Sequence, residues 1–440
     1  MKFTTRLRVS SALWVLPVAI GLMLLYFFKS FAIDYKVPEY QPKYAPSVTS
    51  SALLSFYALS YAIASSLSAW ESGRLRRNHV WELAPSRSRI GITFHALAPV
   101  VALSWLMLIL PVGMALAKEE TTPTLGILPL LIMALLVATA HAVVGFGIGL
   151  RISHLIATPV LAVGVFFCVA AAWSYEPFWI RHVSGQFPVD LMFAESASLV
   201  SLVPHVLFIG SLAAGVAILS IPVYGRRSRV FIPALACVIS ISGLLASYAT
   251  VKNWGANPPL STGNVAMECS GQSPKVCLPA GTDTQVAVVQ AEVASVLRKL
   301  EKAGVAFEPP RSVVDSMVNR RYSIASTRSR WQLPLIASQH EGTTGLQTVR
   351  KATELPCRHP SEGIYTRSIL LWSADIVGQR KTYLRQQRVE LSQFRNHEEV
   401  IALTEKRVAE VHAMPTAAQL KWYEDERKRA CNPKQQSGAN

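Results

Sequence analysis

The stretch WESGRLRRNHVWELAPSRSR, Trp70 to Arg89, carries five arginines, Arg74, Arg76, Arg77, Arg87 and Arg89, and a long apolar run lies on each side of it. A water-soluble core has no use for apolar runs of 18 or more residues, whereas a bilayer with a hydrocarbon thickness of about 30 Å requires them. Working outward from this stretch, seven such runs appear. They are Ser10–Phe28, Ser50–Trp70, Gly91–Ala117, Leu125–Leu150, His154–Trp173, Leu199–Ile221 and Val230–Ala249. Lys2, Arg6 and Arg8 precede the first, whose length and aromatic end, LLYFFKSF, predict a retained anchor rather than a cleaved signal.

The arginines set an orientation. Basic residues in short loops stay on the cytoplasmic side. With the N-terminus inside, the inner segments hold Lys2, Arg6, Arg8, the five arginines above, Arg151, Arg226, Arg227 and Arg229, against the acids Glu71 and Glu82. The outer loops hold Lys29, Lys36, Lys43, Lys118 and Arg181, outweighed by Asp34, Glu39, Glu119, Glu120, Glu176, Asp190 and Glu195. Several independent loops agree. An odd number of spans then predicts an extracytoplasmic C-terminal region and a plasma-membrane location.

The chain is 440 residues long, 51% hydrophobic and has a formal net charge of +16, and its charged residues concentrate after Val251. This gives three regions: a transmembrane domain over 1–250, a linker over 251–268 that contains the turn-rich NWGANPPLSTGN, and an outer domain over 269–440. In the outer domain TDTQVAVVQAEVASVLRKLEKAG has apolar positions at helical spacing, and several later segments are amphipathic. The fold class expected is all-α, a polytopic helix bundle of about seven spans with a mostly α-helical extracytoplasmic domain. Its basic surface is that of a solvated or envelope-facing domain, not a nucleic-acid binder.

Cysteine usage agrees with an oxidising compartment. Cys168 and Cys237 lie in apolar runs, while Cys269, Cys277, Cys357 and Cys431 lie in the polar tail. Four cysteines allow three pairings. The favoured one closes the small loop CSGQSPKVC through Cys269 and Cys277 and ties the chain end back through Cys357 and Cys431.

No catalytic, cofactor or metal signature emerges. A zinc-peptidase helix needs two histidines four apart; HEGTT at His340 and HEEVI at His397 each lack the second. No GxxxxGK-[ST] loop is present to hydrolyse ATP, and no GxSxG elbow. Within the spans the polar inventory is small: His95, His141 and His205, with His154 at the start of the fifth run. Histidines there either line a path or hydrogen-bond between helices. Gly145 and Gly149 form a GxxxG that predicts close helix packing.

One pattern points to a family. A helix ending in AW, then ESGRLRRNHVWELAPSRSR, then a helix opening IGITFHALAPVVAL, together with Cys269, VCLP at Val276–Pro279, Trp422 and Cys431, resembles uncharacterised multi-pass membrane proteins of high-GC Gram-positive bacteria that look like permease subunits of ABC transporters. The resemblance covers nearly the whole chain and implies a separate ATPase subunit, with a second permease or a second copy of this chain as partner, and export as the direction. It also implies a role for ESGRLRRNHVWEL: a short amphipathic helix on the inner membrane face, in which Arg74, Arg76, Arg77 and Trp81 dock the ATPase or anchor the chain to headgroups, with Arg87 and Arg89 at the mouth of the third run serving mainly as anchors. The rival expectation is a non-transporting membrane protein whose outer domain binds a ligand, an envelope component or a partner protein.

Overall fold

The computed structural model describes residues 10–31, 42–82, 88–220, 226–263, 265–319, 321, 326–357 and 363–432. It divides into two compact units with a boundary after Asn264.

In the first unit seven helices are long and apolar enough to cross a membrane. They are α1 (Ser11–Tyr26), α2 (Ala45–Arg77), α3 (Arg89–Lys118), α4 (Leu128–Gly149), α5 (His154–Ala170), α6 (Leu199–Leu219) and α7 (Arg226–Val251). Their outward faces are apolar and exposed, as lipid contact requires: Leu155, Val163 and Phe167 on α5, and Val238, Ile241 and Leu245 on α7. Helix α2 is the central post. Its 33 residues span about 50 Å at 1.5 Å per residue, some 20 Å more than a hydrocarbon core. It packs on α3, α4 and α5, and α6 packs on α4 and α7.

Small residues let α2 and α4 touch backbone to backbone. A Cβ added at Gly145 would lie 2.1 Å from the Ser65 carbonyl oxygen, and one at Gly149 2.2 Å from Ser72 Oγ and 2.3 Å from the Ala69 carbonyl oxygen. Ser65 and Ser72 return their hydroxyls to their own helix, to the carbonyls of Tyr61 and Ala69 at 2.9 and 3.0 Å. The expected GxxxG packing is therefore the α2–α4 contact.

The expected short helix over ESGRLRRNHVWEL does not form as a separate element. Trp70 to Arg77 are the last two turns of α2 itself, and only 78–82 turn away. The physical reason is Glu71. It sits buried inside the helix at 1% exposure, accepts the Ser11 N–H of α1 at 2.7 Å and pairs with Arg74 at 2.7 Å. A buried carboxylate is tolerated only with such partners, and with them α2 runs through a stretch that its charge marks as a loop.

The second unit is also dominated by helices, and it contains a sheet that the sequence reading did not foresee. Strands β3 (Met267–Ser270), β4 (Lys275–Pro279), β5 (Ser312–Asp315) and β6 (Arg330–Leu333) lie in that order, β3 antiparallel to β4 and the rest parallel. The strands are four or five residues long, and the central pair β4 and β5 buries consecutive residues, Val276 to Pro279 and Val313 to Asp315, rather than alternate ones. Helix α8 (Val286–Lys302) joins β4 to β5 and buries Val289, Val293 and Leu300 against Val276, Val313 and Leu333. Six helices follow: α9 (Leu335–Glu341), α10 (Thr344–Ala352), α11 (Ile364–Val377), α12 (Arg380–Leu391), α13 (His397–His412) and α14 (Thr416–Ala430). They close over Trp372, Tyr383 and Tyr423, all buried. The fully buried Glu426 of α14 accepts from Arg407 of α13 at 2.7 Å and from Arg429 at 2.9 Å.

Both expected cysteine pairs are joined. Cys269 and Cys277 face each other across β3 and β4, and Cys357 reaches Cys431 just after α14; Cys168 and Cys237 are free.

The turn-rich segment after α7, read as a linker, is in part structured. Leu260–Thr262 form β2, which pairs antiparallel with β1 (Glu195–Ala197) from the connection between α5 and α6.

Candidate functional site

The connection between α5 and α6, read from sequence as a short outer loop, instead enters the helix bundle. Residues from His182 to Glu195 are mostly buried: His182 is fully buried, Phe187 is 1% exposed and Leu191 3%. At one end Asp190 accepts from the Ser51 hydroxyl at 3.0 Å, and the Leu191 N–H donates to Ser50 Oγ at 3.0 Å. At the other end the Gly185 carbonyl accepts from the Tyr61 hydroxyl at 3.0 Å. Ser51 and Tyr61 are about 15 Å apart along α2, and five residues of extended chain cover about 16 Å. The segment therefore lies beside α2 for nearly three turns.

Glycine is needed at its deepest point. Gly185 has φ +87°, and a Cβ there would meet Val137 Cγ1 of α4 at 2.7 Å and the Tyr61 ring at 3.1 Å. Irregular backbone at membrane depth survives only where protein or a polar path satisfies it. Here the Gly185 N–H donates to His205 Nδ1 of α6 at 3.1 Å, and its carbonyl takes the Tyr61 proton. That geometry fixes a tautomer. An Nδ1 that accepts carries no hydrogen, so His205 is neutral with its proton on Nε2.

Around this point the side chains form a connected polar neighbourhood. The Tyr61 ring stacks on the His141 imidazole of α4, with centroids 5.0 Å apart, and Tyr57 follows one turn away at 5.8 Å. Tyr57 Oη, His141 Nε2, His205 Nε2 and Gln186 Oε1 are all buried without a hydrogen-bond partner among the described residues. A buried polar atom left unpaired costs about 1–3 kcal/mol. Four in one neighbourhood, all on uncharged groups, make this the part of the bundle best suited to hold a hydrogen-bonding molecule. The buried carboxylate of Glu71 lies about 15 Å further along α2 from Tyr61.

His182 ties the start of the segment to the chain that follows α7. Its Nε2 lies 2.9 Å from the Gly255 carbonyl oxygen and its ring stands edge-on to Trp254. Burial holds this imidazole below its ordinary range.

Two of the three histidines singled out from sequence, His141 and His205, come together here. His95 does not: it is exposed on α3 beside Phe94. His154 packs under Trp70 and against Gly73. Sequence reasoning missed Tyr57, Tyr61, Gly185 and Gln186. The signal available was the low apolarity of the second run, with its serines and tyrosines, beside a buried-looking SGQFPV in a nominal loop.

The arginine cluster is distributed differently. Arg74 pairs with Glu71, and Arg76 donates to the Leu150 carbonyl at the end of α4 at 3.2 Å. Arg151 does the same for two helices, donating to Gly147 at 2.9 Å and to Leu219 at 3.4 Å. Cations at these helix ends meet both the last carbonyls and the negative pole of the dipole. Arg77 is exposed. Arg89 lies over the Trp81 ring at 5.6 Å. Arg87 lies outside the described residues. Among the described residues no three of His, Cys, Asp and Glu stand close enough to share a metal ion.

No family model, curated protein or solved structure matches this chain.

Proposed function

We propose that the chain is the membrane subunit of an ABC-type transport system, taking ATP hydrolysis from a separate cytoplasmic subunit, and that it exports a small uncharged solute through the neighbourhood of Tyr57, His141, Gln186 and His205. The observation that supports this reading is the irregular segment lodged among the spans with four unpartnered polar atoms around it. An inert bundle gains nothing from burying them. The ligand class follows from their chemistry. His205 Nε2–H offers a donor, Gln186 Oε1 an acceptor, and Tyr57 can do either. The four groups are uncharged, and an ion there would need a counter-charge to offset its desolvation.

The α2–α4 contact below the site fits one stage of a transport cycle. At Gly145 and Gly149 the two backbones touch too closely for solute to pass, so passage there needs α2 and α4 to part. The exposed Arg77, in the last turn of α2, is the arginine proposed to meet an ATPase from the cytoplasmic side.

The test is recovery of partners with the full chain from native membranes. An ATP-hydrolysing subunit should co-purify, and Arg77→Ala should lower its recovery severalfold with insertion intact. A chain that inserts, folds and recovers no ATPase defeats the permease reading.

A further inference from the structure

Two arginines from different parts of the chain gather at the last turn of α4. Arg76 of α2 donates through Nη1 to the Leu150 carbonyl at 3.2 Å. Arg151 donates through Nη1 to the Gly147 carbonyl at 2.9 Å and through Nη2 to the Leu219 carbonyl of α6 at 3.4 Å. The Gly147 and Leu150 carbonyls are about 4.5 Å apart along the helix axis. The guanidinium groups are therefore neighbours at the end of the bundle where α2, α4 and α6 finish. A guanidinium has about five N–H donors, and the bonds above occupy a minority of them on each arginine. The acids in the segments at this end are Glu71 and Glu82. They pair with Arg74 and His79, not with these two arginines.

What lies beside the pair is apolar and exposed. Ile152 follows Arg151 in the turn after α4, Leu155 is in the first turn of α5, and Leu219 carries the carbonyl that Arg151 holds; all three expose their side chains. The exposed apolar face of α5 continues through Val160, Val163 and Phe167. Trp70 stands edge-on to His154 at the start of α5, an aromatic ring near a span end, where membrane proteins meet headgroups. Helix α5 begins at Ser153 without a side-chain cap, so its first N–H groups and its dipole add positive potential near Arg151.

Capping α4 and α6 accounts for the inward side of each guanidinium and leaves the outward side, next to the apolar residues, without a role. A phospholipid carries an anionic phosphate and apolar chains in one molecule. We infer that Arg76 and Arg151 bind the phosphate of an anionic phospholipid whose acyl chains lie along the exposed face of α5. A carboxylate from a protein partner would meet the guanidinium groups and leave the apolar flank uncovered. A zwitterionic lipid brings the same phosphate together with a cation that the arginines repel, so the site distinguishes lipid classes. Basic pockets between spanning helices recognise headgroups by this charge. The inference rests on the helices being membrane spans and on no solute, ATPase or orientation.

The experiment uses the full chain, purified in micelles and titrated with phosphatidylglycerol or with phosphatidylcholine of the same acyl chains. Native mass spectrometry counts the bound lipid. An arginine near an anionic headgroup contributes about a fivefold factor in binding, so two should favour phosphatidylglycerol by about 25-fold. Arg76→Gln should cut that preference about fivefold, and Arg76→Gln with Arg151→Gln should bring the two lipids close to parity. Lys118→Gln, exposed at the far end of α3, should change nothing. Excess inorganic phosphate, which lacks the chains, should displace little phosphatidylglycerol. Equal binding of the two lipids overturns the proposal, as does a preference that survives the double substitution or falls equally in Lys118→Gln. Full displacement by inorganic phosphate overturns the lipid as occupant. If the double variant fails to fold, Ile152→Glu decides. It alters one exposed side chain and places a carboxylate beside Arg151, where the start of α5 favours one. The preference should fall about fivefold in that variant, and an unchanged preference overturns the proposal.

Discussion

Adding one methyl group at Gly145 tests the α2–α4 contact directly. In Gly145→Ala the new Cβ would stand 2.1 Å from the Ser65 carbonyl oxygen, with the carbonyl carbon at 2.7 Å and Cα at 2.8 Å. All three are backbone atoms of the central helix, so no side chain can swing aside. Ordinary contact lies near 3.4 Å, and the helices must separate by about 1 Å along their shared seam. Overpacking of this kind costs about 1–3 kcal/mol, and backbone-on-backbone contact argues for the upper end. Alanine returns about 1 kcal/mol of helix propensity, which leaves a net loss of about 2 kcal/mol. The matched control is Gly164→Ala in α5, where a Cβ meets nothing within 4 Å. It keeps the propensity gain and should stabilise by up to about 1 kcal/mol. The two single-methyl variants should therefore differ by about 3 kcal/mol and carry opposite signs. Chaotrope unfolding of the purified protein in micelles, followed by tryptophan fluorescence, reads this. If Gly145→Ala proves as stable as Gly164→Ala, the seam is not closed as described, and the argument that α2 and α4 must part for passage fails with it. A Gly145→Ala, Gly149→Ala double variant should lose less than the sum, because one separation relieves both clashes.

Tyr61→Phe should destabilise by about 1–3 kcal/mol by orphaning the buried Gly185 carbonyl, while Tyr57→Phe, which removes a buried hydroxyl with no partner among the described residues, should stabilise by up to about 1–3 kcal/mol; the same unfolding assay separates them. Peptide mapping without reduction should recover Cys269 linked to Cys277 and Cys357 linked to Cys431, with Cys168 and Cys237 alkylated. With sequence separations of 8 and 74 residues, loop-closure entropy makes the second bridge worth about 2 kcal/mol more than the first to the unit that holds them, so Cys357→Ser should lower its melting point further than Cys269→Ser. A reporter active only outside the membrane should be active when fused after Asn440 and silent when fused near Asn78; the reverse pattern defeats the orientation drawn from the arginines.

Two features were legible in the residues and three were not. Hydropathy located seven helices long and apolar enough to cross a membrane, because a helix of about 20 apolar residues is the cheapest way to satisfy a backbone in hydrocarbon, and no partner elsewhere in the chain is needed to recognise it. The cysteine pairing was accessible for a similar reason: one pair closes a short loop and the remaining two have only each other. The sheet of the second unit escaped because its strands are only four or five residues long, and its central strands β4 and β5 are buried without alternation. Charge misled at Trp70 to Arg77, where Glu71 neutralises Arg74 and reaches Ser11 across 60 residues, a pairing that turns an apparent loop into the end of α2. The site was the least legible. His141 and His205 were visible as polar residues in apolar runs, but what gives them meaning is Gly185, brought between them by a connection that hydropathy marks only as a loop. Its insertion depends on Tyr61 supplying a donor, His205 an acceptor and Val137 a boundary, from three different helices. Local sequence determines whether a segment can cross a bilayer; whether a loop is drawn in among the spans is decided by hydrogen-bond partners that only the packed helices bring together.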